Sequence, residues 1–220
     1  MTEDHFNLEG FRRPLISCIL SNGTIVTLTE GIENLLYFMS PDNKNFSVSC
    51  SELGILKPAS IVSNNSNQFI ILDTSQEVIS WFDCNMMEIR SIDLSGLKID
   101  FIKYNNELNN ILLASNNSSE IFYISDNANK PEKFFNFSFI NQKDNISSLD
   151  YKHSFLYLLG RCNLYKIKVD SSTPVYETFF SYGRGGNGLV RSPSDINIKD
   201  NKVYINDKEN YLIQVFNLDI

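Results

Sequence analysis

The feature of the sequence that most constrains the fold is an internal repeat. A short apolar strand, a polar turn, a second apolar strand, a further turn and a third strand follow one another five times in 220 residues. Equivalent positions are spaced 44, 41, 47 and 47 residues apart, and they start at Pro14, Pro58, Ile99, Ile146 and Pro193. A period of about 40 to 50 residues with several short strands in each copy is typical of β-propeller blades.

The second copy shows the pattern most clearly. Pro58 begins its first strand, residues 64–67 form a polar turn, and Phe69–Asp73 is its second strand. The fifth copy repeats this plan from Pro193 to Phe216. Nearly every apolar run in the chain has four to six residues and is bounded by Asn, Asp, Ser or Gly, which is the signature of strands and hairpins.

A more polar fourth strand follows the third strand in four of the copies. It is predicted at Phe46–Cys50, Glu88–Asp93, Glu132–Phe137 and Val175–Phe180. The fifth copy has no such strand, whereas His5–Leu8 resembles a strand that belongs to no copy. We therefore predict an all-β, single-domain β-propeller over residues 1–220, built from four-stranded antiparallel blades. Five blades are predicted, with six as the alternative, and pairing of the N-terminal strand with the last blade would close the propeller and cover its edge.

Composition excludes several classes of partner. The net charge of −7 disfavours nucleic acid, because phosphate binding depends on lysine and arginine. No apolar run approaches the roughly 18 residues that a membrane span needs. The first ten residues are polar and acidic, so we expect no signal peptide in the sequence as given. A secreted protein whose signal had been removed would have the same sequence, and the compartment stays open.

A glycine-rich segment at 182–188 precedes Pro193, a strand that ends at Asp207 and a strand that ends at Phe216. This succession resembles the NHL repeat, and it resembles even more the six-bladed propeller proteins of Bacteroidetes. The second copy matches in its proline, its aspartate and its Phe82-Asp83 ending. The resemblance implies a propeller for the whole chain, although six blades differ from the five copies counted here.

Five residues are interpreted as structural positions of the repeat. Asp73 and Asp207 follow the second strand of their copies, where the resemblance implies hydrogen bonds to an adjoining turn. Pro58 and Pro193 begin first strands. Gly183 opens the glycine-rich loop, which could cradle phosphate only if a helix followed it. Because a strand follows, we interpret this loop as a tight connection between blades.

The candidate ligand-binding residues are arginines in loops that are expected on one face, the face of the interblade and second-to-third-strand connections. They are Arg12, Arg13, Arg161, Arg184 and Arg191. Together they would recognise a carboxylate or phosphate by bidentate pairing. The alternative is that they are separate surface cations, each near a local acid.

No catalytic constellation is recognisable. A catalytic zinc site usually draws on two or three imidazoles, and with only His5 and His153 in the chain that class is largely excluded. We therefore predict a non-catalytic binding or scaffold propeller that recognises a protein, a peptide or a small polar ligand through loops on one face. The alternative is a lactonase-like or glycosidase-like hydrolase with its site in the central channel. No metal site or cofactor is predicted; calcium, with channel-lining candidates such as Asn197, would require several converging oxygen ligands.

Overall fold

The computed structural model describes residues 14–31, 33–116, 118–138, 144–161, 163–169, 176–178, 181–182 and 189–218. In this part of the chain, five antiparallel sheets of three or four strands account for nearly all secondary structure. The predicted fold class, an all-β five-bladed β-propeller, is confirmed. The chain divides into two compact units, the N-terminal unit Met1–Gly96 and the C-terminal unit Leu97–Ile220. The single-domain organisation stays a prediction.

The N-terminal unit contains two four-stranded sheets, each with its strands in chain order. The first sheet consists of β1 (Pro14–Ile19), β2 (Ile25–Thr29), β3 (Leu35–Met39) and β4 (Phe46–Ser49). The second sheet consists of β5 (Pro58–Ser63), β6 (Phe69–Asp73), β7 (Val78–Phe82) and β8 (Glu88–Asp93). A short 3-10 helix, Cys50–Leu53, connects them and ends at Gly54, whose φ of 74° suits glycine.

The C-terminal unit contains three antiparallel sheets and one short parallel strand pair. The first sheet has β9 (Phe101–Asn105), β10 (Asn110–Ala114), β11 (Glu120–Ser125) and β12 (Glu132–Asn136). The second has β13 (Ile146–Lys152), β14 (Phe155–Gly160), β15 (Leu164–Lys168) and β16 (Tyr176–Thr178). The parallel pair is β17 (Ser181–Tyr182) with β18 (Leu189–Val190), and the last sheet has β19 (Pro193–Lys199), β20 (Lys202–Asp207) and β21 (Leu212–Asn217).

Burial explains why the strands differ in composition. Every residue of the second strands β6 and β10 is buried, which means that both faces of these strands are covered. The fourth strand β8 is mostly exposed and alternates in polarity. In the N-terminal unit the ring of Phe69 lies 5.5 Å from that of Phe38 and 5.3 Å from that of Phe82, measured between centroids. Each such buried aromatic ring contributes about 2 to 3 kcal/mol to stability.

The last sheet differs from the other four in the described part of the chain, because it has three strands and its third strand, β21, is an edge strand. Three apolar side chains of β21 are exposed, Leu212 by 55%, Ile213 by 70% and Val215 by 51%. The segment predicted to pair here, His5–Leu8, lies outside the described residues. No helix in the described ranges has the length and apolar character needed to span a bilayer.

Candidate functional site

The carboxylate of Asp73 binds the loop that leads into its own sheet. It accepts hydrogen bonds from the backbone N–H groups of Leu56 (2.6 Å) and Lys57 (3.3 Å), which precede β5. It also accepts bonds from Ser75 N (2.9 Å) and from Gln76 N (3.1 Å) and Gln76 Nε2 (2.9 Å) in the following turn. The carboxylate thus fixes both the entry to β5 and the turn after β6.

Asp207 binds the equivalent entry loop in the last sheet. It accepts hydrogen bonds from the backbone N–H groups of Arg191 (3.2 Å) and Ser192 (3.0 Å), which precede β19. The side chains of Asn210 (2.7 Å) and Gln214 (2.9 Å) also donate to it.

The prolines stand opposite these acids. Pro58 pairs in register with Asp73, and Pro193 pairs with Asp207. Proline has no N–H to donate, and each carboxylate accepts hydrogen bonds from the N–H groups of the two residues before the proline. The two pairs therefore have equivalent places in their sheets.

Hydrogen bonding controls the ionisation of both acids. Burial opposes the charge on Asp73, but the bonds from Leu56, Gln76 and Ser75 outweigh it and lower its pKa to about 2. Burial likewise opposes ionisation of Asp207, and its bonds, led by that from Ser192, still hold its pKa below the usual value. Both side chains are therefore charged at neutral pH while almost fully buried.

In two further sheets an acid lies before the first strand and accepts hydrogen bonds from residues that follow the second strand. Asp100, just before β9, accepts bonds from Ser115 Oγ (2.9 Å) and Asn116 N (2.8 Å) beyond β10. Asp144, just before β13, accepts bonds from Asn163 Nδ2 (2.9 Å) and Tyr165 Oη (2.7 Å). Sequence analysis missed these two acids, because they do not occupy the repeat position of Asp73. Their position directly before a first strand was the available signal.

The predicted arginine cluster is described only in part. Arg161 is exposed at the end of β14, and Arg191 Nε lies 2.7 Å from Glu209 Oε2. Neither residue lines the pocket described below. Arg12, Arg13, Arg184 and the loop glycine Gly183 lie outside the described residues, so convergence of the five arginines stays a prediction.

The first strands of the C-terminal unit are joined by side chains. Lys103 on β9 donates to the backbone oxygen of Ile196 (2.7 Å) and lies 3.3 Å from Asp195 Oδ1, both on β19. The same Asp195 oxygen accepts a bond from Ser148 Oγ of β13 (2.6 Å). These contacts connect three sheets through side chains.

Asp150 lies in this network and is 9% exposed. Its Oδ2 accepts from Ile198 N (2.9 Å), and its Oδ1 accepts from Tyr151 N (2.8 Å). Burial raises the pKa of Asp150, Asp195 raises it further, and nearby Lys103 opposes the rise. Through its bond from Ile198 N, the Asp150 carboxylate connects β13 to β19 of the neighbouring sheet.

The turns beyond these strands enclose a pocket, which we call the C-terminal pocket. It is lined by residues 103–107, 150–153 and 197–201 and has a volume of about 630 Å³. The turns are the first-to-second-strand connections of three sheets, at the strand ends opposite to Arg161 and Arg191. His153 and Asn201 adopt left-handed backbone conformations in these turns, with φ of 51° and 57°.

An ion pair holds one side of the pocket. Glu107 Oε1 lies 2.8 Å from Lys152 Nζ and 3.7 Å from His153 Nδ1. Glu107 Oε2 also accepts a bond from His153 N (2.9 Å). Burial opposes ionisation of Glu107, but the bonds from Lys152 and His153 lower its pKa.

Asparagines supply much of the remaining lining. Asn105 is buried, and its Nδ2 donates to Tyr151 O (2.6 Å). Asn106, Asn197 and Asn201 are exposed. Among the described residues, no group of three histidine, cysteine or acidic side chains could hold a metal ion.

Of these lining residues only Asn197 was named from the sequence, as a candidate for the central channel, whereas Lys103, Glu107 and Asp150 were missed. The signal for Lys103 was a lone cation within an apolar first strand.

No protein-family model and no curated protein sequence matches the chain. Its fold is similar to that of a streptogramin B lyase, with a TM-score of 0.61 and 15% identity over 94% of this chain and 69% of the lyase. A Bacteroides thetaiotaomicron protein of unknown function gives a TM-score of 0.68 at 12% identity, over 94% of this chain and 60% of that protein. A chain of a nidogen–laminin complex gives 0.69 at 10% identity, over 92% and 74% of the two chains. Identities this low show the propeller fold alone.

Proposed function

We propose that the protein is a non-catalytic binding module of the NHL-like propeller type, which recognises a small polar ligand in the C-terminal pocket. The observation that carries this proposal is the pocket itself, about 630 Å³ in volume and lined by three hairpin turns. Small-molecule sites are concave, largely preformed and of about 300 to 1,000 Å³, with a few polar groups that fix the ligand. Side-chain bonds between the first strands, such as that from Asp150 to Ile198 N, make this pocket preformed.

The state of two of the three lining carboxylates, Asp150 and Glu107, favours binding over hydrolysis. A glycoside hydrolase needs one carboxyl group that donates a proton and another that attacks or activates water. Both oxygens of Asp150 accept backbone N–H bonds, and Glu107 is held by Lys152 and His153. Neither acid is oriented by these contacts towards a substrate. The fold neighbours include a lyase and a chain of a protein complex, so the fold itself does not choose between the two functions.

The arginines remain a second predicted recognition surface for a protein or peptide. Substituting Arg161 by alanine tests this prediction directly, because Arg161 is exposed and its loss should leave the fold intact. A partner that uses the arginines would lose affinity, while a ligand of the C-terminal pocket would bind as before.

A ligand screen with a blocked pocket tests the main proposal. Thermal unfolding is measured with a library of sugars, amino acids, dipeptides, nucleosides and carboxylic acids, because specific binding to the folded state raises the melting temperature. The blocked variant is Asn197→Trp, and the matched control is Asn127→Trp, an exposed asparagine outside the pocket.

We expect a ligand that stabilises the wild type and the control but not the blocked variant. A library without any such ligand would overturn the proposal, and turnover of a bound compound would favour the hydrolase.

A further inference from the structure

The charges that line the C-terminal pocket compensate one another. Three lysines and three carboxylates contribute to the lining, namely Lys103, Lys152, Lys199, Glu107, Asp150 and Asp200. Lys152 is paired with Glu107 at 2.8 Å, and Lys103 is engaged by Asp195 at 3.3 Å. Lys199 and Asp200 are adjacent exposed residues of opposite sign. An ionic ligand that used Lys103 or Lys152 would therefore have to compete with the existing partner of that lysine, at the cost of desolvating its own charge.

Three asparagine side chains in the pocket lining differ from the paired lysines in having no partner in the described part of the chain. Asn106, Asn197 and Asn201 line the pocket and are exposed, and their side chains have no hydrogen-bond partner among the described residues. Each amide offers two donors and one acceptor oxygen. An alcohol group both donates and accepts, so several hydroxyls on one ligand can pair with all three amides without leaving a charge unpaired.

We infer that the ligand of the C-terminal pocket is an uncharged, hydroxyl-rich molecule of the sugar class, bound by Asn106, Asn197 and Asn201. This inference rests on the proposed function and specifies its ligand. It assigns Lys103 and Asp150 a positioning role, because their bonds to β19 hold Asn197 beside the turns.

The test uses matched neutral and charged probes. Glucose, galactose, mannose, N-acetylglucosamine and their disaccharides are compared with glucuronate, galacturonate, glutamate and lysine by ligand-observed NMR titration. We expect a neutral sugar to bind and its uronate to bind more weakly. Binding of the neutral sugar should change little with salt, which screens only charged contacts.

Variants of the amides connect binding to the pocket. Asn106→Ala and Asn197→Ala are each expected to weaken sugar binding about fivefold, the value of one net hydrogen bond. Asn201 is replaced by glycine, because its φ of 57° disfavours alanine. Asn127→Ala is the control and should bind as the wild type does.

The outcomes separate this inference from the proposed function. Binding of only glutamate, lysine or a uronate, abolished by Asn197→Trp, would overturn the sugar assignment and leave the binding module standing. Sugar binding that none of the three amide substitutions weakens would also overturn the assignment. Absence of pocket binding by every probe here and every compound of the wider library would overturn both.

Discussion

The turns between first and second strands differ in the two units. In the N-terminal unit, Asn67 Oδ1 accepts bonds from Ser21 Oγ (3.0 Å) and Asn22 N (3.2 Å), so one turn is tied to the next. Asn64 stabilises its own turn, because its Oδ1 accepts hydrogen bonds from Ser66 N and Gln68 N. In the C-terminal unit, the equivalent turns have charged and amide side chains that surround a pocket.

Backbone conformation does not account for this difference. Asn67 and Asn201 occupy corresponding turns with φ of 58° and 57°, which asparagine tolerates better than most residues. The side chain of Asn67 is engaged by the neighbouring turn, whereas that of Asn201 lines a pocket. The same hairpin scaffold can thus be stabilised or made available to a ligand, according to a few side chains at its turns.

The largest effect is expected from removing the buried acid that both units share. Asp73→Ala removes the acceptor of the N–H groups of Leu56 and Gln76, and Asp207→Ala removes the acceptor of the N–H of Ser192. Each substitution should lower the free energy of unfolding by about 3 kcal/mol, measured by urea denaturation.

Asp93→Ala is the control for this pair, because Asp93 is an exposed acid that binds only its local turn. Its loss should cost much less than the loss of either buried acid. Equal effects of all three substitutions would contradict a special role for the two buried acids.

A smaller effect, of opposite sign for Asp73 in the N-terminal unit and Asp150 in the C-terminal unit, is expected on changing pH. The pKa of Asp73 is lowered to about 2, so its charged form stabilises the fold above about pH 4, and this contribution is lost as pH falls through 2. Wild type should lose up to about 2 kcal/mol relative to Asp73→Asn across that window.

The pKa of Asp150 is raised by burial and by Asp195, against the effect of Lys103. Its contribution is present below the unfolded-state pKa and is lost as pH rises through the folded-state value. Relative to wild type, Asp150→Asn should therefore gain stability as pH rises above about 4. Parallel pH profiles for the Asp73 and Asp150 variants would refute this contrast.

The smallest effect is expected from replacing the turn asparagines Asn67 and Asn201 by glycine. Asn67→Gly keeps the left-handed backbone but removes the acceptor for Ser21 and Asn22, and it should cost about 1 kcal/mol. Asn201→Gly removes no hydrogen bond of the described residues and should change stability by less than about 0.5 kcal/mol. Thermal melts of the two variants test this difference, and an equal loss in both would show that the turns are not distinct.

The architecture could be predicted because it depends on local patterns. Strands such as Phe69–Asp73 and Val203–Asp207 are short apolar runs between turn residues, and their spacing defines the sheets. The predicted fourth strand Phe46–Cys50 ends at Ser49 in the structure, because a 3-10 helix begins at Cys50. Strand ends are harder to predict than strand positions, because the last hydrogen bonds depend on tertiary packing.

The candidate site could not be predicted in the same way. Lys103 lies within an apolar strand, and its partner Asp195 is 92 residues away in the sequence. Asp150 and Ile198 N are 48 residues apart. The repeat predicts that these strands are equivalent, but it does not specify which side chains meet between them. The arginines were predicted as a site because of their charge. The pocket depends instead on asparagines, a residue type that is common throughout this sequence and therefore marks no single place in it.

The side-chain links between the first strands also imply an order of folding. Each hairpin closes over a few residues, whereas Lys103 reaches Ile196 across 93 residues and Ser148 reaches Asp195 across 47. Closing a longer loop costs more chain entropy, so we expect the individual sheets to form before these links. The C-terminal pocket would then be completed last. A partly folded chain could retain most of its strands and still be unable to bind.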